Sequence, residues 1–259
     1  LNKYISKNKI KYFEDLSNNL AKYERVRTRK TLIIMKKNIW PKVADDLNRL
    51  SILNKKLLEL INPYFIKWTE ENILIDKTGA IKIHLENLKI LFYKSNQVGI
   101  KILGKIIQIV GGKEYSPKKK KTLNLMQSIF KIYFKSKSLG NVNVFLEENF
   151  ILFIREKRNL CFDMEIIKNK YHVFDGRFLL VSNVSGKIVQ NTKNYFDNED
   201  KKNIFFKYKD QINNSLPIIK TLEGKSIRPH LSIIENSEFK KESIKDGSFG
   251  LYLMNKLLV

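Results

Sequence analysis

Leu47, Leu50, Leu53, Leu57, Leu58 and Ile61 recur mostly at steps of three and four, which places them on one face of an α-helix. The spacing predicts a long amphipathic helix. Asn62-Pro63 either ends it or opens a second helix whose first turn holds the proline. Asp76-Lys77-Thr78-Gly79 reads as a turn, and Ile81, Ile83 and Leu85 alternate briefly with polar residues, so one hairpin is expected in an otherwise helical region from Thr31 to about Phe134. Gly111-Gly112 and Ser116-Pro117 break the helices, and Leu123, Met126, Ile129 and Phe130 then restore a helical stripe that belongs in a core. From Ser138 the period changes. Val142, Val144 and Leu146 alternate, Phe150 to Ile154 form an apolar run, and Tyr171 to Leu180, Gly186 to Val189 and Leu216 to Ile219 read as further strands. The apolar segment from Gly250 to Val259 is expected to pack on this β-rich module. The pattern predicts an α+β fold with a polar N-terminal segment, a helical middle and a small β-rich C-terminal module. No repeat of fixed period is present.

Composition adds a partner class. Among 259 residues there are 49 Lys plus Arg against 26 Asp plus Glu, a formal net charge of +23. At 43% hydrophobic residues the chain is too apolar for a charged disordered tail and is expected to fold. No apolar run reaches the ~18 residues of a membrane-spanning helix, and no lipidation signal accompanies the basic segments, so no membrane association is expected. The remaining polyanion is nucleic acid, because each phosphate neutralised by Lys or Arg releases counterions. The first residues, Leu1-Asn2-Lys3-Tyr4, have no secretory-signal pattern. A first residue other than Met fits an unusual start codon or a chain that starts inside a longer protein.

Candidate chemistry is sparse. Glu223-Gly224-Lys225-Ser226 carries the end of a phosphate-binding loop, but the Gly required five residues before Gly224 is Ile219, so a turn is expected. Gly111-Gly112 reads as a helix cap. His84, His172 and His230 are far apart and carry no carboxylate-rich context, so structural roles are expected for all three and no metal site is expected. The single cysteine, Cys161, lies beside Phe162 and is expected to be a buried small hydrophobe. Arg25-x-Arg27-x-Arg29 follows Glu14-Asp15-Leu16-Ser17-Asn18. Guanidinium groups bind phosphate bidentately. In a strand the three would point the same way, and in a helix they would fan around its axis.

Several of these segments resemble one family in their order. Asp15-Leu16-Ser17-Asn18 followed by Arg25-x-Arg27-x-Arg29 resembles the Asp-Pro-Ser-Asn and Arg-x-Arg-x-Arg signature that ends the catalytic domain of tRNA(Ile)-lysidine synthetases, with Leu16 in place of Pro. Gly111-Gly112-Lys113-Glu114-Tyr115-Ser116-Pro117-Lys118 is similar to the family's Gly-Gly-x-x-Tyr-x-Pro-Arg stretch. Leu139-Gly140, Arg155-Glu156-Lys157-Arg158-Asn159-Leu160 and Phe174-Asp175-Gly176-Arg177-Phe178 are similar to its Leu-Gly, Arg-Glu-x-Arg-Asn-Leu and Trp-Asp-Gly-Arg-Phe segments. Leu216-Pro217 and Pro229-His230-Leu231 resemble the pieces that follow.

The resemblance implies a PP-loop ATP-dependent ligase, using ATP and Mg, that joins lysine to the wobble cytidine of the isoleucine tRNA with a CAU anticodon. This sequence has no Ser-Gly-Gly-x-Asp-Ser loop. The resemblance therefore implies that the chain begins near the end of the catalytic domain. It would comprise a remnant of that domain at 1–30, a helical tRNA-facing domain at 31–136 and an α+β tRNA-binding module at 137–259. Alone the chain is expected to be inactive, with a separate PP-loop domain as partner and a homodimer left open. By matched position, Asp15, Ser17 and Asn18 would shape the catalytic rim, and Arg25, Arg27 and Arg29 would meet tRNA phosphate or the nucleotide. Lys118, Lys119, Lys120, Lys121, Arg155, Arg158 and Arg177 would contact tRNA. The alternatives are a solvated helix start for the lysines, and a strand-edge charge or an ion pair with Glu156 or Asp175 for the arginines. A bacterial cytoplasm is expected, with a mitochondrial matrix as the alternative. The competing function is a non-enzymatic basic RNA-binding module.

Overall fold

Two units divide the chain, residues 1–63 and 64–259. The computed structural model describes residues 2–11, 20–191, 203–227, 229–233 and 248–251. In the first unit α1 spans Asn2–Lys7, α2 spans Glu24–Asn38, and α3 begins at Val43 and runs to Asn72, past the division. Pro63 lies inside α3 rather than at an end. The helix read from the leucine spacing is thus present, and Leu47, Leu50, Leu53 and Leu57 of its stripe are 46–56% exposed, while the side chains of Leu58 and Ile61 lie outside the described residues. Among the described residues of this unit only Val26 and Val43 are buried.

In the second unit β1 (Ile73–Ile75) and β2 (Ile81–His84) form the expected hairpin. Its turn is set by Asp76, whose carboxylate accepts the Thr78 N–H at 2.9 Å, and by Gly79 at φ 78°. Helices α4 (Leu85–Lys94), α5 (Asn96–Val110) and α6 (Lys119–Ile129) follow, then strands β3 (Ser136–Leu139), β4 (Val142–Glu147) and β5 (Phe150–Arg155). These five strands make one antiparallel sheet in the order β1-β2-β5-β4-β3. It draws β1 and β2 from the predominantly helical stretch of sequence and β4 and β5 from the β-rich stretch, with Ile81 opposite Phe153.

The continuous apolar run at 150–154 has a structural cause, since β5 feeds two cores. Ile151 and Phe153 face a core built with Ile102, Leu103, Ile106 and Ile107 of α5 and Leu125, Met126 and Ile129 of α6. Leu152 and Ile154 face a second, with Phe174, Phe178, Leu180, Ile188 and Leu216. Ile166, Phe174, Phe178, Leu180 and Ile188 of that core come from the remaining strands, which form two further sheets. β6 (Glu165–Ile166), β9 (Gly186–Gln190), β10 (Pro217–Thr221) and β11 (Ser226–Ile227) form one four-stranded sheet. β7 (His172–Phe174), β8 (Phe178–Val181), β12 (His230–Ile233) and β13 (Ser248–Leu251) form another. A 3₁₀ helix (Ile204–Tyr208) and α7 (Lys209–Asn213) lead into β10. Mixed helices and predominantly antiparallel sheet make the fold α+β.

Two minor readings resolve in opposite directions. The Glu223-Gly224-Lys225 segment is the β10–β11 turn, with Gly224 at φ 81° and its N–H donating to the Thr221 carbonyl at 3.0 Å. Cys161 is exposed, not buried. Phe162 and Met164 lie against the second core, while Cys161 and Asp163, before and between them, are exposed. Of the final apolar segment, residues 252–259 lie outside the described residues.

Candidate nucleic-acid interface

Four of the motifs that are far apart in sequence meet at one junction. Helix α5 ends in a Schellman closure: Lys113 N–H donates to the Gln108 carbonyl at 2.9 Å and Gly112 N–H to the Ile109 carbonyl at 3.0 Å, with Gly112 at φ 61°. The closure is pressed between two hairpin turns. A Cβ on Gly111 would lie 2.1 Å from the Gly140 carbonyl oxygen, and one on Gly112 would lie 1.9 Å from that of Asp175. Both turns use the left-handed region at successive residues, Gly140 and Asn141 in one, Asp175 and Gly176 in the other, as tight hairpins require.

Asp175 then ties in two arginines. Its Oδ1 accepts Arg155 Nη2 at 2.9 Å, while Oδ2 accepts Arg155 Nε at 2.9 Å and Arg177 Nε at 2.7 Å. Arg155 Nη1 donates to the carbonyls of Glu156 (2.7 Å), Arg158 (3.1 Å) and Asn141 (3.3 Å), and Arg177 Nη2 donates to that of Ser215 (2.7 Å). Burial pushes the Arg177 guanidinium down to about 10; Asp175 opposes that push and Arg155 adds to it. At neutral pH it stays charged.

The sequence-predicted residues therefore separate. Arg155 and Arg177, expected at the tRNA backbone, are 2% and 1% exposed and spend their donors inside the protein. The alternative of an ion pair with Asp175 is present for both arginines. Arg158 is different, with 77% of its side chain exposed beside Glu156. Lys118, Lys119, Lys120 and Lys121 are all exposed, at the start of α6. Arg25, Arg27 and Arg29 are exposed on α2, a helix, so they fan as a helix requires. Arg27 Nη1 donates to the carbonyls of Lys22 (2.7 Å) and Ala21 (3.0 Å). Asp15, Ser17 and Asn18 lie outside the described residues. Two of the histidines have local contacts: the ring nitrogen of His172 accepts the Ile167 N–H at 3.0 Å, and His84 sits edge-on to Phe150, while the side chain of His230 lies outside the described residues.

Motif reading passed over Lys131, Lys135 and Lys137, exposed around the turn between α6 and β3. The signal was present in composition: from Tyr115 to Leu146, 32 residues, there are seven lysines and no Asp or Glu. Among the described residues no three His, Cys, Asp or Glu side chains cluster to hold a metal ion. With the Ser-Gly-Gly-x-Asp-Ser loop also missing from the sequence, the residues described do not fit a triphosphate–magnesium site, and no step through either is assigned to them. No described helix is long and apolar enough to cross a membrane.

No family profile matches the chain. Individual relatives do. It is 26% identical over 251 residues to a tRNA(Ile)-lysidine synthase of Rickettsia typhi, covering 93% of this chain and 57% of the relative. To that of Rickettsia bellii it is 26% identical, covering 90% and 55%, and to that of Rickettsia felis 28%, covering 92% and 56%. The chain spans about half the length of the curated relatives it matches. Whole-sequence comparison and motif order thus agree: over some nine-tenths of its length this chain resembles the tRNA(Ile)-lysidine synthases.

Proposed function

We propose that this chain supplies tRNA recognition to a lysidine synthetase, the ligase that joins lysine to the wobble cytidine of the isoleucine tRNA with a CAU anticodon. The observation that carries the reading is the likeness to such enzymes over nine-tenths of the chain. It is supported by the meeting of four of the resembling motifs at one junction. In this reading Lys118 to Lys121 and Arg158 neutralise tRNA phosphates, Arg25, Arg27 and Arg29 face tRNA or nucleotide, and Asp15, Ser17 and Asn18 form the rim of the catalytic pocket. Arg155 and Arg177 hold the turns rather than the RNA. Residues 1–30, 31–136 and 137–259 correspond to the end of the catalytic domain, the helical domain and the C-terminal module, acting in a bacterial cytoplasm.

A PP-loop domain supplies ATP and Mg binding. The exposed leucine face of α3 offers that domain apolar surface to cover, consistent with a chain half as long as its relatives. The test is ATP-dependent incorporation of labelled lysine into the CAU-anticodon isoleucine tRNA, with the chain alone and with an added PP-loop domain from a related enzyme. Incorporation only on complementation supports the reading. No incorporation in either case, with equal affinity for unrelated RNAs, replaces it by the second reading that the net charge of +23 favours, a non-enzymatic RNA-binding module.

A further inference from the structure

Tyr93, Ile132 and Tyr133 are 79%, 91% and 90% exposed. Tyr93 contacts the ring of Phe130, and Ile132 and Tyr133 follow that residue in the chain. Phe130, at the C-terminal end of α6, packs on the first core and lies 5.3 Å from Phe92 and 6.5 Å from Tyr93, nearly parallel to the latter at 19°. Ile132 and Tyr133 follow in the turn to β3. That turn is closed by bonds from Lys131 N–H to the Ser128 carbonyl (3.1 Å) and from Phe134 N–H to the Lys131 carbonyl (3.0 Å), and Phe134 is buried beyond it. Anchored at both ends by aromatics, the turn holds two large side chains out in water by its geometry.

The charged residues along this part of the sequence have one sign. Lys131, Lys135 and Lys137 surround the turn and Lys94 follows Tyr93. Lys137 donates to the neutral Ser128 hydroxyl at 2.9 Å. The first carboxylate after Tyr115, Glu147, is taken up by Lys207 and Tyr208, and Glu86 on α4 by Lys89. An occupant must offer both flat apolar faces and negative charge at short range. Unpaired nucleotides do so: the base stacks on an aromatic ring while its phosphate meets a lysine.

We infer that Tyr93, stacked on Phe130, and the exposed Tyr133 of the turn that follows are stacking sites for unpaired bases of RNA, with Lys131, Lys135 and Lys137 on the adjoining phosphates. This deepens the tRNA-recognition reading and rests on it for the identity of the RNA, but not for the stacking sites themselves. The test measures binding of the full chain to the isoleucine tRNA transcript, to a single-stranded oligoribonucleotide and to a blunt-ended RNA duplex of equal phosphate number, across a salt series. Tyr133→Ala and Tyr93→Ala each weaken binding to tRNA and to the single strand about fivefold to a hundredfold, without changing the salt slope. Tyr133→Phe keeps the affinity. The blunt-ended duplex does not respond to any of the three. Joint replacement of Lys131, Lys135 and Lys137 by Ala lowers the slope by about 2. Unchanged single-strand and tRNA affinity in both alanine variants overturns the stacking sites while leaving tRNA recognition intact. Loss of single-strand binding in those variants, when the wild type fails to distinguish the tRNA from other RNAs, upholds the stacking sites and overturns the tRNA reading. Tyrosine-dependent binding to phosphatidylserine vesicles with none to RNA overturns it in favour of a membrane surface.

Discussion

Replacing Asp175 by Asn tests whether Arg155 and Arg177 hold the fold or the RNA. The substitution keeps size and, since Asn adopts the left-handed region at least as readily as Asp, keeps the φ of 51° without added strain. What changes is charge. One carboxylate now accepts three guanidinium bonds of 2.7–2.9 Å from two side chains that are 1–2% exposed. In the variant a neutral amide faces both arginines, and placing its oxygen toward one nitrogen turns its NH2 group toward another. Removing one partner of a buried ion pair costs about 3–5 kcal/mol, because the remaining charges stay desolvated without compensation. For a protein of this size each kcal/mol moves Tm by about 2–4 °C, so a fall of roughly 6–20 °C is expected. Thermal and urea denaturation followed by circular dichroism measure it, with Arg158→Ala as control, whose exposed pair with Glu156 is worth at most about 1 kcal/mol. A Tm change no larger than the control's would refute the structural role. Unchanged stability with lost tRNA binding would return Arg155 and Arg177 to the RNA interface.

Gly112→Ala forces a Cβ to within 1.9 Å of the Asp175 carbonyl oxygen at φ 61°, and about 2–5 kcal/mol of destabilisation is expected in the same denaturation assay. Glu147 is held below its usual carboxylate range by hydrogen bonds from Lys207 and Tyr208, with burial opposing. A lowered folded-state value means its stabilisation is complete above the unfolded value of 4.5 and fades as pH falls through the folded value. The Tm gap between wild type and Glu147→Gln should therefore be largest near neutrality and close in acid; a gap that is constant with pH sinks the assignment. Cys161, exposed, should react with a thiol reagent in the native protein as completely as in denaturant, and protection in the native state would contradict its outward orientation.

Local order was legible because it depends on local period. The hairpin at 73–84, the α5 closure at Gly111-Gly112 and the strand run at 150–154 each follow from residues within one or two turns of chain. The fate of Arg155 and Arg177 was not legible. Sequence offered phosphate or carboxylate as partners with equal standing, and the choice falls on Asp175, twenty residues from Arg155, only because two hairpin turns close on the end of α5. Cys161 was misread for a related reason: an apolar neighbour in the sequence, Phe162, does not say which of the two side chains meets the core.

By itself the sequence determined the element types, the excess of positive charge, the 32-residue stretch without a carboxylate and the ordered motifs that resemble one family of ligases. These are properties of periodicity and composition, which survive without coordinates. Tertiary structure alone decided which cations are spent internally and which face water. Desolvation is a property of enclosure, so two arginines became the fixings of a turn, while an unremarked turn between α6 and β3 became the face that displays tyrosine and lysine together.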